Sequence, residues 1–88
     1  MRKVVIQHKK DFQYLRGVND DWTRNPTSAL SFASIYLAAE FCSRHQLKEV
    51  YIIQGDFNEA SNRFDASSKN ILEVPHVRSW TRDAGGPG

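Results

Sequence analysis

Hydrophobic positions follow two rhythms along this chain, alternating or continuous in the flanks and spaced by three or four in the middle. Lys3 to His8 holds Val4, Val5 and Ile6, a β-branched run too short for a helix, which predicts a buried strand. From Asp11 to Gly17 the residues alternate, Phe12, Tyr14 and Arg16 against Gln13, Leu15 and Gly17, as in a second strand with one aromatic face. The Lys9-Lys10 link is short enough to make the two an antiparallel hairpin. Gly17 and Asn19 then supply the positive φ values of a tight reversal, with Asp20 and Asp21 solvated, before Trp22 and Thr23 return for a brief pairing.

Asn25-Pro26 reads as a cap followed by proline at the first helical position, so a short helical turn is expected through Ala29 and Leu30. Ser34 offers a second cap. From it Ile35, Ala38, Phe41, Cys42 and His45 fall on one helical face, widened by Leu37, while Glu40, Ser43, Arg44 and Gln46 make the wet side. A helix over Ser34–Gln46 is predicted. Glu49 to Gln54 is the most strand-like run of all and is expected as a central strand. Residues 55–70 are rich in Asp, Asn, Ser and Ala and read as a mobile loop; Ile71-Leu72-Glu73-Val74 is an optional last strand that Pro75 restricts to a sheet edge or ends outright.

The expectation is one α+β domain over residues 1–77, a mainly antiparallel sheet of three to four strands in the order β-β-α-β with an optional final β, one main helix packed on one face, and a polar, flexible tail over 78–88. Eighty-eight residues make one small core, and 40% apolar with 25% charged residues suits a globular chain. The pattern Tyr14-Leu15-Arg16-Gly17, Trp22-Thr23, Pro26, Ala29, Phe32, Ala38 and Phe41, then Arg44-His45-Gln46-Leu47 and a β run, resembles a group of small uncharacterised bacterial domains over residues 3–54. The resemblance implies a fold and a bacterial cytosolic setting, and no activity.

Charge changes this picture only locally. The net charge is +2, yet Arg2, Lys3, Lys9 and Lys10 put four cations and no acid into the first ten residues. With Phe12, Tyr14 and Arg16 on one strand face, and with Tyr51 joining the aromatics, they would form a basic aromatic platform for nucleic acid if the helix covers the opposite face. A second candidate surface is Trp80 flanked by Arg78 and Arg82, the composition of a protein-binding hot spot in a tail too polar to need a tryptophan.

Catalytic chemistry is thinly represented. Cys42 and His45 stand one helical turn apart, the spacing of a thiolate–imidazolium pair, but on the stripe assigned to the core. His8, His45 and His76 are too scattered to bind a metal, the Asp56-Phe57-Asn58-Glu59 run lacks the ligands and glycine of a calcium loop, and Asp20-Asp21 reads as a solvated turn. No glycine-rich phosphate loop is present, so no cofactor is expected. A lone cysteine and the lack of a leader-like apolar run or an eighteen-residue apolar stretch place the chain in the cytoplasm, away from membranes. The reading is a non-enzymatic accessory module that engages another protein. Nucleic-acid binding through the N-terminal hairpin is the alternative, and an enzyme using Cys42 and His45 the third.

Overall fold

The computed structural model describes residues 1–74. Strands β1 (Arg2–His8), β2 (Tyr14–Gly17) and β3 (Asp21–Thr23) lead through a 3-10 turn (Pro26–Ser28) to helix α1 (Ile35–Arg44), and β4 (Val50–Asn58), β5 (Arg63–Phe64) and β6 (Asn70–Val74) follow. The sheet runs β3-β2-β1-β4, and β5 and β6 share the far edge of β4. Every pairing is antiparallel. The α+β class with one main helix is therefore as expected, but among the described residues six strands replace three to four and the order is β-β-β-α-β-β-β.

The additional strands are β3, the brief pairing of Trp22 and Thr23, and β5, which forms within residues 55–70 where a mobile loop is expected from the sequence. β4 does not stop at Gln54, because Gly55 pairs with Lys3 and Asp56 with Arg2 across β1. Gly55 is there for a close approach, since a Cβ on it would stand 3.0 Å from the Lys69 Cα. Phe57 and Phe64, which looked isolated, are buried side by side on β4 and β5 with ring centroids 5.2 Å apart. Polar composition concealed the strands because every second residue of β4 from Gln54 onward is solvated or half-buried while its neighbour is buried.

Two other boundaries move. β2 begins at Tyr14 rather than Asp11, since Phe12 lies in a loop closed by the His8 N–H on the Gln13 carbonyl (2.8 Å) and the Phe12 N–H on the His8 carbonyl (2.8 Å). The positive φ values of the next turn belong to Asn19 and Asp20, and Gly17 lies in the strand. The caps behave as read: Asn25 Oδ1 accepts from the Thr27 N–H (3.1 Å) with Pro26 at the first helical position, and Ser34 Oγ accepts from the Leu37 N–H (3.2 Å). α1 ends at Arg44 instead of Gln46 because Gln46 turns left-handed, φ 55, while the Leu47 N–H reaches back to the Cys42 carbonyl and the Gln46 N–H to the Ser43 carbonyl. That is a Schellman closure.

Alternation along β1 and β4 sorts the core into two clusters. On the helix side lie Val4, Ile6, Leu15, Val50, Ile52 and Val74 under Ala38, Ala39 and Cys42. On the far side lie Val5, Ile53, Phe57, Phe64 and Ala29, with Tyr14 and Tyr51 against them. Burying Ile6 or Ile52 completely is worth about 1.5–3 kcal/mol each. The chain crosses between the sides beside β1, where the Leu30 N–H bonds the Leu15 carbonyl and the Phe32 N–H the Val4 carbonyl, both at 2.8 Å.

Candidate interaction surface

The sequence brings Cys42 and His45 to one face of a helix; the structure separates them. Cys42 is fully buried, and that burial pushes its thiol up to about 11, away from the thiolate a nucleophile needs. His45, expected in the core, is exposed at the end of α1 and stacks on Phe41 with ring centroids 4.2 Å apart. The helix turns Ala39 inward in its place, and Leu37 is 42% exposed. The helical stripe is thus centred one residue from where the spacing put it.

The helix does cover the face opposite Tyr14 and Tyr51, which was the condition for an aromatic platform. Strand register then builds a transverse row across four strands: Tyr14 pairs with Gln7, Gln7 with Tyr51, and Tyr51 with Glu73. Tyr14 and Tyr51 are half-buried, and burial raises the Tyr14 pKa. Gln7 Nε2 donates to the Phe12 carbonyl (3.1 Å), which hangs the β1–β2 loop over the same end of the face. Phe12 is 60% exposed there.

The basic residues are placed differently from the expectation. Lys3 points inward, only 9% exposed, its Nζ donating to the Pro26 carbonyl (2.8 Å) and standing 4.4 Å from the Phe57 ring centroid. Desolvation lowers its pKa, against an opposing pull from Glu59. Lys9 Nζ donates to Glu73 at 2.6 Å and lies over the Tyr51 ring, and the bond to Glu73 raises its pKa. Arg16 grips Asp21 through Nη2 at 2.8 Å and Nε at 3.0 Å. Of the six proposed nucleic-acid contacts, only Arg2 and Lys10 are exposed cations without a salt bridge among the described residues. Trp80, Arg78 and Arg82 lie outside the described residues.

At the opposite end an open depression of about 840 Å³ is lined by Met1, Phe57, Glu59, Arg63, Phe64 and Asp65, among others. Its rim mixes acids with Arg63 and Met1, and among the described residues no cluster of three His, Cys, Asp or Glu side chains could hold a metal ion. No helix of the described residues is long and apolar enough to cross a membrane.

Sequence reasoning missed the Tyr14–Gln7–Tyr51–Glu73 row because it depends on which residues stand opposite one another across strands far apart in the chain. A signal existed in Lys9 and Glu73, opposite charges that the register brings together. No family model, curated protein or solved structure matches the chain.

Proposed function

We propose that this domain is a non-enzymatic binding module of the cytoplasm that engages another protein through the sheet face turned away from α1, at the end where Phe12, Tyr14 and Tyr51 lie. The observation that supports it is the pairing of aromatic area with cancelled charge. Tyrosines offer large, stiff contact surfaces with a polar tip, the composition enriched in protein interfaces. Lys9 is neutralised by Glu73 and Arg16 by Asp21, leaving little to exchange for phosphate counterions. Burial of Cys42 removes the best nucleophile from the surface. The Arg78-Trp80-Arg82 segment is proposed as a second contact for the same partner.

The test is affinity capture from the native host with the full chain, a Tyr14→Ser/Tyr51→Ser variant, and a chain ending at Val77. One protein retained by the first and lost by the second is the expected result. Equal retention by the first two would refute the face, whatever the truncated chain does.

A second reading keeps one observation in its favour: two aromatics stand on the sheet face opposite the helix, as base-stacking platforms require. It expects affinity for single-stranded oligonucleotides that falls steeply with salt and weakens in Lys9→Ala/Lys10→Ala. Salt-insensitive or absent binding removes it.

A further inference from the structure

The β1–β2 loop displays an aromatic ring where the backbone asks for something smaller. Lys9, Lys10, Asp11 and Phe12 form the turn between the His8–Gln13 and Phe12–His8 hydrogen bonds, and its last residue, Phe12, is left-handed with φ 58. Glycine or asparagine adopts that conformation readily; for a bulky side chain it is an outlier. Strain of this kind persists where the surroundings impose it and is concentrated at contact and active sites. Packing among the described residues does not account for the phenylalanine, because Phe12 is 60% exposed and belongs to neither of their hydrophobic clusters.

We propose that Phe12 is the anchor residue of the partner interface, held out at the hairpin tip so that its ring enters an apolar slot on another protein. This rests on the reading of the domain as a protein-binding module. Neighbouring charges select the kind of slot. Lys9 is paired with Glu73, Lys10 is followed by Asp11, and Lys48 is followed by Glu49, whose carbonyl takes the Lys9 N–H at 2.9 Å. Only Lys9 and Glu73 form an ion pair, but among the described residues the three lysines are matched in number by three acids, so the tip presents an apolar ring in a setting of no net charge and suits an uncharged pocket better than a phosphate chain or an anionic lipid surface.

Gln46 provides the internal control. It has nearly the same φ, 55, but its N–H closes the end of α1 and its side chain is polar. Replacing either residue by asparagine relieves the backbone; only one replacement removes a ring. Phe12→Asn and Gln46→Asn should both raise the thermal midpoint, by a few degrees in a domain of this size, where about 1 kcal/mol corresponds to roughly 4–8 °C. The protein captured by the wild-type chain is then purified and titrated with the wild type, Phe12→Asn, Gln46→Asn and Tyr51→Ser. Phe12→Asn should weaken the complex about tenfold or more while Gln46→Asn leaves it unchanged.

A lower midpoint for Phe12→Asn would mean that the ring serves folding, and the inference falls. Unchanged affinity in Phe12→Asn with weakening in Tyr51→Ser would overturn the anchor and leave the face standing. No captured protein that depends on Phe12 or Tyr51 defeats both. Phe12-dependent binding to phosphatidylcholine/phosphatidylserine vesicles or to an oligonucleotide, in place of a protein, would overturn the assigned partner class.

Discussion

The two sides of the sheet are both apolar in sequence and are closed in different ways. The helix side is roofed by α1, whose Ala38, Ala39 and Cys42 let it settle against Val4, Ile6 and Ile52. Among the described residues the far side has no helix. Its cluster of Val5, Ile53, Phe57 and Phe64 is covered piecemeal, by Ala29 after the 3-10 turn, by the β4–β5 hairpin, and by the stem of Lys3, whose charged end is tied to the Pro26 carbonyl. The helix buries Val4, Ile6 and Ile52 beneath it, whereas the patchwork leaves a margin. The half-exposed row of Tyr14, Gln7, Tyr51 and Glu73 is that margin.

Neighbouring residues of β4 provide the strongest test of this contrast. Ile52→Ala opens a cavity beneath the helix and should cost about 2–5 kcal/mol by denaturant unfolding. Tyr51→Ala, one residue on and facing the other way, should cost distinctly less, because its ring is already part-solvated. Equal losses would mean that the far side is as structural as the helix side, and the surface would lose its claim to be a margin.

Cys42 gives a second measure of how dry the helix side is. Its thiol is raised from 9.0 to about 11 by burial, so from about pH 9 upward the unfolded chain releases a proton that the folded chain keeps. Stability therefore falls as pH rises, by up to about 3 kcal/mol once both states are ionised. Tyr14, also raised by burial, acts in the same sense on the far side, and Lys3, lowered by desolvation, acts in the opposite sense below its ordinary value of 10.5. The difference between wild type and Cys42→Ala isolates the thiol. If the two pH profiles run parallel between pH 9 and 11, water reaches Cys42 and the roof is not closed.

The two caps compare the coverings themselves. Ser34 holds only the first turn of α1, and Ser34→Ala should cost about 1 kcal/mol. Asn25 does more: besides capping the 3-10 turn, its Oδ1 accepts from Asn62 Nδ2 (3.0 Å) and its Nδ2 donates to Ser28 Oγ (3.3 Å), while Thr27 Oγ1 donates to Asn62 Oδ1. This pins the turn to the β4–β5 hairpin. Asn25→Ala should cost as much as Ser34→Ala or more and speed amide exchange in both 24–30 and 58–64, where Ser34→Ala should affect only α1.

Local chemistry made much of this fold legible in advance. The caps at Asn25 and Ser34, the β-branched runs of β1 and β4, and the helix itself followed from residue type and spacing. β5 did not, and β6 was legible as an optional strand but not by its partner, because a sheet is decided by register between distant segments, and Gly55 looks like a turn until its near contact with Lys69 is known. Charge was the least legible. Lys3 reads from sequence as a basic surface residue, and only the alternation of β1 against Phe57 and Pro26 shows that it points inward. Of the candidate surface, Phe12, Tyr14 and Tyr51 are recognisable in the sequence as aromatics of one possible face, but Phe12 stands in the turn before β2 and not in the strand, because its positive φ leaves no mark in the sequence.

Ile71 gives the smallest effect and the finest test of where the margin ends. It pairs with Ile53 across β4 but remains 52% exposed, so it extends the far-side row of apolar residues outward past what the patchwork covers. An exposed β-branched residue on a strand contributes packing only to the extent that something lies on it, so Ile71→Ser should change stability by less than about 0.5 kcal/mol. Leu72→Ser, its neighbour facing α1, should cost more, since Leu72 packs against the helix-side cluster. A loss above about 1 kcal/mol for Ile71→Ser in the full chain, abolished when the chain ends at Val77, would show that residues beyond Val77 lie over Ile71. The far side would then be covered more fully than Ala29, Lys3 and the hairpin alone allow, and the surface for a partner would shrink to Phe12, Tyr14 and Tyr51.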